Sequence, residues 1–225
     1  KTWLSSKSYI NSFNKFLIEN IDANSKSKIL DIGCGRGKIL GSLSLNLKLK
    51  KKPLGIDIIN HKDKDKRIKF RKIDLINFSK TNKEKFDFIL IKQTIHLIKL
   101  SEIKKTLFRL KKRLNPRGKI LIFTLDTHKN EIPTFNTMKL KLNKSLNRDK
   151  KILRLITKIF PYRIKKKFIY KVKINKKKYL EMIEKRYIST LMSLSEKQLL
   201  IGIQEIKNKY KDTLKFKDKL ICIIL

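Results

Sequence analysis

The sequence predicts an α/β fold, a mostly parallel sheet with helices on both faces, and three observations carry that expectation. Short apolar runs of strand length alternate with segments whose apolar residues recur at helical spacing. That alternation is the rhythm of a parallel sheet. One strand passes into a helix through ILDIGCGRGKIL, Ile29 to Leu40, with Gly33, Gly35 and Gly37 at alternate positions. Glycines so placed allow a tight turn and the close approach of a ligand to the backbone.

Taken in order, Ile10, Phe13, Phe16, Leu17 and Ile21 share one helical face, so a helix is expected over Ser5 to Ile21, within an N-terminal segment 1–24 that covers the ligand site. Ile29 to Ile32 is the first strand, and a helix follows Gly37. Leu54 to Ile58, Ile68 to Ile73, Phe86 to Ile91 and Lys119 to Leu125 are the next strands. Between the last two, Ile103, Leu107, Leu110 and Leu114 form the stripe of a helix that Ser101 can cap, and Asn115-Pro116-Arg117-Gly118 suits a type I turn. The connections at Ile58 to Ile68 and Asn77 to Lys85 are short for parallel crossovers, so these are loops or the strands are shorter than drawn. Asp126 to Pro161 is basic and helical, and the segment 126–167 is expected to cap the site. Phe168 to Ile174 and Leu220 to Leu225 are late strands, with helices at Lys176 to Lys185 and from Ser195, where Gln198 completes a capping-box pattern.

The chain has 225 residues, enough for a single domain over 1–225. No span of membrane length is present, and Cys34 and Cys222 supply neither a disulfide framework nor a metal-ligand cluster. A soluble, cytoplasmic monomer without a metal is the expectation. The formal charge is +39, which raises the question of nucleic acid as a partner. Lysine far outnumbers arginine, isoleucine and asparagine are abundant, and the one alanine is Ala23, a profile that drift toward A and T in the coding sequence explains without a ligand. The lysines are spread along the chain apart from local clusters at Lys48 to Lys52 and Lys165 to Lys167.

The glycine spacing discriminates among loops. G-x-G-x-x-G needs glycine where Lys38 stands, and the phosphate loop G-x-x-x-x-G-K-[ST] needs a hydroxyl where Ile39 stands. What is present is [DE]-x-G-x-G-x-G from Asp31 to Gly37. In these residues, and in the order of its elements over nearly its whole length, the chain resembles the class I S-adenosylmethionine-dependent methyltransferases. That resemblance implies a Rossmann-like, mostly parallel sheet of about seven strands, with a helical cap inserted after the fifth. It also implies S-adenosyl-L-methionine as cofactor. Asp31 would face the methionine end, with Gly33, Gly35 and Gly37 along the methionine and ribose. Asp57, twenty residues beyond Gly37, would accept hydrogen bonds from both ribose hydroxyls, as befits a group with acceptors only. Asp74 would take the adenine amino group, Leu75 would lie near the ring through its amide, and Ile58 would pack on its face.

The acceptor should be legible after the fourth strand, in FDFILIKQTIHLI. An N-P-P-Y type loop, used on nucleobase amines, is absent, and there is no Pro-Cys nucleophile. Gln93 and His96 resemble instead the Q-x-x-H of small-molecule enzymes of the trans-aconitate methyltransferase type, with Leu97 in place of that group's tryptophan; Arg186 to Leu200 is similar too. The resemblance places Gln93 beside the cofactor and implies methylation of a small acceptor at a carboxylate or hydroxyl oxygen. His96 is the candidate general base, while Arg148, Arg154, Arg163 and Arg186 are candidates for binding an acidic acceptor. RNA methylation using the lysine-rich surface, and a non-catalytic module that binds cofactor or partner, are the alternatives.

Overall fold

Strand residues of alternating direction divide the core in two. Leu30, Ile32, Ile89, Ile91, Ile120 and Ile122 pack in one apolar cluster, whereas their neighbours Ile29, Phe88, Leu90, Leu121 and Phe123 pack in the other. This is the period of two expected of a sheet covered on both faces. The computed structural model describes residues 2–225. Its strands are β1 (Ile29–Ile32), β2 (Leu54–Asp57), β3 (Lys69–Lys72), β4 (Phe86–Lys92), β5 (Leu114–Leu125), β6 (Ile164–Asn175) and β7 (Thr213–Ile224). They form one sheet in the order β3-β2-β1-β4-β5-β7-β6. The first five run parallel, β7 is antiparallel to β5, and β6 is antiparallel to β7.

The helices are α1 (Lys7–Ile18), α2 (Lys38–Asn46), α3 (Leu75–Thr81), α4 (Leu100–Lys111), α5 (Asn136–Ile159), α6 (Lys176–Glu184), α7 (Ser189–Met192) and α8 (Glu196–Lys209). Tyr9, Phe13 and Leu17 of α1, with Leu40 and Leu43 of α2, cover one face of the sheet; α6 and α8 extend that layer. Phe78 of α3, the stripe Ile103, Leu107 and Leu110 of α4, and Ile152 and Ile156 of α5 cover the other. The expected capping box starts α8: Ser195 Oγ accepts from the Gln198 amide and the Gln198 side chain accepts from the Ser195 amide.

Several local expectations change. Ser101 does not cap α4, which starts at Leu100 after Lys99 with no side-chain cap. Asn115 to Gly118 is not a type I turn; it lies within β5, irregular there, with Arg117 at φ 63°. The connection from β2 to β3 is a loop, but α3 occupies the stretch before β4, capped by Asp74. The expected cap 126–167 resolves into a loop, the single helix α5, and the start of β6 at Ile164. The C-terminal half of α5 packs against the α4 layer, so this helix is the crossover to β6 as well as a wall of the site. Exposed Lys165, Lys166, Lys167, Lys171 and Lys173 occupy β6, a sheet edge, where lysine discourages pairing with another chain.

Candidate active site

In an open parallel sheet the crevice for a ligand lies at the carboxyl ends of the strands where chain order reverses. Here that point is between β1 and β4, because the chain runs outward through β2 and β3 before returning to the other side of β1. The glycine loop leaves β1 at this place. Gly33, Gly35 and Gly37 have φ of 74°, 54° and 68°, the left-handed region. The amides of Gly33 and Cys34 both donate to the Ile56 carbonyl, at 2.9 and 3.1 Å, which ties the loop to β2. A Cβ on Gly33 would lie 2.1 Å from Thr94 Oγ1, so the close packing of two loops requires glycine there. A Cβ on Gly35 would meet nothing within 4 Å: that glycine borders open space. Cys34 packs on Gly55, and burial pushes its thiol well above the ordinary range, so it is no nucleophile.

Asp57 ends β2 beside this space. Its Oδ2 accepts from the Gly35 amide at 2.8 Å and its Oδ1 from the Ile59 amide at 2.9 Å. Each oxygen thus keeps acceptor capacity toward the crevice while its orientation is held by backbone. Ile58 and Ile59 are 59% and 55% exposed there, an apolar surface suited to the face of a flat ring. Asp74 is occupied locally: its Oδ1 accepts from the Asn77 amide at 2.9 Å and its Oδ2 from Asn77 Nδ2 at 2.6 Å. Leu75 opens α3 with its side chain buried. Acceptor oxygens paired for a diol, a glycine cradle and an exposed apolar face fit a nucleoside.

Gln93, at φ 51°, follows the carboxyl end of β4 and opens on a cavity. With His96 it lines this cavity, of about 350 Å³, whose walls include Trp3, Leu125, Leu142, Arg148, Asp149, Tyr187 and Asp218. His96 lies in a short 3-10 turn, Ile95–Leu97. Burial, reinforced by the charge of Arg148, lowers its pKa from the ordinary imidazole value, which favours the neutral ring. Arg148 donates to the Ile98 carbonyl at 3.1 Å.

A family model described as "Methyltransferase domain" matches residues 8–163. The chain belongs to that family. It is a class I methyltransferase that uses S-adenosylmethionine. Solved structures share the fold. A protein described as a methyltransferase from an antibiotic biosynthesis pathway of Anabaena variabilis aligns at 13% identity over 93% of this chain and 95% of its own, with a TM-score of 0.66. A SAM-dependent methyltransferase from Archaeoglobus fulgidus aligns at 17% identity over 97% and 94%, TM-score 0.56. The plantazolicin methyltransferase BpumL, solved with S-adenosylhomocysteine, aligns at 19% over 96% and 81%, TM-score 0.52. No curated protein sequence matches the chain.

Of the four arginines expected to bind an acidic acceptor in this methyltransferase, only Arg148 lines the cavity. Arg186, at φ 49°, clamps a turn: its guanidinium donates to the carbonyls of Leu191 and Leu194 and pairs with Glu196. Arg163 donates to the nearby Pro161 carbonyl, and Arg154 is exposed on α5. The contents of the cavity were partly missed in the sequence. Asp149 follows Leu142 and Leu146 on the buried stripe of α5, where an apolar residue is due; Asp218 holds an inward position of β7 between Phe216 and Leu220. Trp3 donates from Nε1 to Asp218 Oδ2 at 3.1 Å. Among the described residues no helix is long and apolar enough to cross a membrane.

Asp149 is 5% exposed. Burial pushes its carboxyl up from 3.8 to about 6, against the lowering influence of Arg148. The native state therefore binds this proton more tightly than the unfolded chain, and stability is lost as pH rises from about 4 to 6, remaining lost at pH 7. Asp149→Asn removes the titration. Urea unfolding at several pH values should show the variant gaining on the parent across that window, by at most about 3 kcal/mol above it; a gain independent of pH would refute the account.

Proposed function

We propose that the enzyme methylates a hydroxyl oxygen of a small, mainly apolar acceptor bound in the cavity beside Gln93 and His96. The observation that carries this is the place of His96, on the wall of a cavity at the end of β4, where burial favours the imidazole's neutral form. Leu125, Ile132, Leu142, Trp3 and Tyr187 offer apolar contact. A hydroxyl, whose proton must leave as the methyl group arrives, gives His96 a role that an already ionised carboxylate would not, so of the two oxygen classes considered a hydroxyl is the better match.

S-adenosylmethionine supplies an electrophilic methyl group on a sulfonium. The residues of this chain do the rest. The cavity walls hold the hydroxyl oxygen in line, which reduces the entropy of the encounter. As the oxygen takes the methyl group, whose bond to sulfur would break to leave S-adenosylhomocysteine, His96 accepts the hydroxyl proton, leaving a methyl ether and an imidazolium that later returns its proton to solvent. The two free thiols suit the reducing cytoplasm as the site of action.

The test is a labelled methyl-transfer screen against phenols, aliphatic alcohols, carboxylic acids, amines and RNA, with products identified by mass spectrometry. Methyl ethers are expected. His96→Gln should lower kcat about 100- to 10,000-fold while binding of S-adenosylhomocysteine is unchanged. The parent's rate should fall on the acid side with an apparent pKa below 6.5, and that limb should vanish in the variant. Methyl esters, or methylated RNA bound with steep salt dependence, would overturn the reading.

A further inference from the structure

Helix α5 buries a stripe of Met138, Leu142, Leu146, Ile152 and Ile156, and Asp149 stands within that stripe at 5% exposure. It lines the cavity that His96 also lines. Among the described residues its carboxyl makes no hydrogen bond and no ion pair. It lies well inside the helix, so no free amide of the first turn reaches it. Arg148, its neighbour in sequence, donates instead to the Ile98 carbonyl at 3.1 Å. Asp218, the other acid of the cavity, already accepts from Trp3 Nε1 at 3.1 Å. Thr190 of the same wall also has a hydroxyl without a partner.

Aspartate is rarely buried unless it is paired, and a lone carboxyl among apolar side chains lowers stability. Packing does not account for this one, since burial pushes it up to about 6 and an apolar residue would complete the stripe. A few polar groups in a largely apolar pocket are what fix the orientation of a ligand. The charge of Arg148 acts on both His96 and Asp149, so the two lie near one guanidinium. About 350 Å³ is room for a single-ring molecule that meets both.

We propose that Asp149 is a specificity-determining residue of this cavity, pairing with a cationic amino group that the acceptor carries in addition to the hydroxyl that is methylated. The acceptor class is then an aminoalkyl phenol or an amino alcohol, a refinement that rests on the hydroxyl reading above. An ammonium group supplies both the charge and the donors that the carboxylate lacks, in hydrogen bonds stronger than neutral ones. A destabilising group retained in a pocket is typical of sites where function and stability conflict.

Three probes of similar shape test this. Tyramine carries a phenol and an ammonium group, para-ethylphenol the phenol alone, and para-hydroxyphenylpropionate the phenol and a carboxylate. Calorimetry on the parent loaded with S-adenosylhomocysteine, at a pH above the titration of Asp149, should find tyramine bound about 10- to 100-fold more tightly than para-ethylphenol, the yield of one charge-assisted pair. The propionate should bind no more tightly than para-ethylphenol. Asp149→Asn should abolish the preference for tyramine and leave para-ethylphenol within about twofold, whereas a residue that only supports the fold would weaken both together. Equal binding of tyramine and para-ethylphenol by the parent, tighter binding of the propionate, or binding of no probe would overturn the assignment, and these readings need no variant to fold. Failure of the hydroxyl reading looks different: tyramine binds through Asp149, the amine site stands, and mass spectrometry finds no methyl ether.

Discussion

Asp57→Ala is expected to raise the dissociation constant for S-adenosylhomocysteine by at least about 100-fold, since hydrogen bonds to a charged group are worth about 1.5 to 3 kcal/mol each and a ribose diol makes two. The carboxylate also orients the loop, accepting from the Gly35 and Ile59 amides. The loss should therefore exceed that of a contact on an otherwise rigid surface. Asp57→Asn tests the chemistry: it keeps one carbonyl acceptor but presents an amide donor to backbone N–H or to the diol, so it should recover little of the affinity. Calorimetry on both variants, with circular dichroism to confirm an intact fold, checks this. Binding unchanged in Asp57→Ala would mean that the ribose does not lie at the end of β2.

The glycine loop should show the second large effect, as a contrast between two positions of similar φ. At Gly33 an added methyl group collides with Thr94, and at Gly35 it enters open space. Gly33→Ala should lower stability through that collision and disrupt binding with it. Gly35→Ala should cost only the strain of a left-handed alanine, about 1 to 2 kcal/mol. Its methyl group enters the open space beside Asp57, and if the cofactor approaches the backbone there, affinity should fall about 10- to 100-fold in a folded protein. Melting curves and cofactor titrations on the pair measure both consequences. If Gly35→Ala bound normally, its glycine would serve the turn alone.

These outcomes concern features that were legible in the sequence, and the reason is local. The strand, the glycines and the helix behind them are consecutive, and their backbone requirements are written in a few neighbouring residues. The capping box at Ser195 and Gln198 is similarly local. Elsewhere the same logic failed for physical reasons. A seven-residue helix at Leu75–Thr81 is too short to show a period, and its cap, Asp74, is also a candidate adenine ligand. Residues 164–167, expected to end the cap, start β6 instead, and Lys165 to Lys167 are acceptable there because that strand is a sheet edge. Arg186 was a candidate for substrate, but its donors are consumed by the turn that follows it. Lys92 and Asp149 stood in apolar patterns where their types are out of place, which is a signal that could have been weighed.

By itself the sequence determined the sheet, the glycine loop that leaves its first strand, and the acid that ends its second, because each depends on residues close together or on the order of elements. The cavity beside Gln93 and His96 was decided only in three dimensions. It joins Trp3 and Leu4, the end of β4, the inner face of α5, the turn around Tyr187 and an aspartate of β7. The hydrogen bond from Trp3 to Asp218 spans 215 positions of the chain. No local spacing encodes such a contact; it exists because β7 inserts between β5 and β6 and brings its inward-facing aspartate beneath the N-terminal segment.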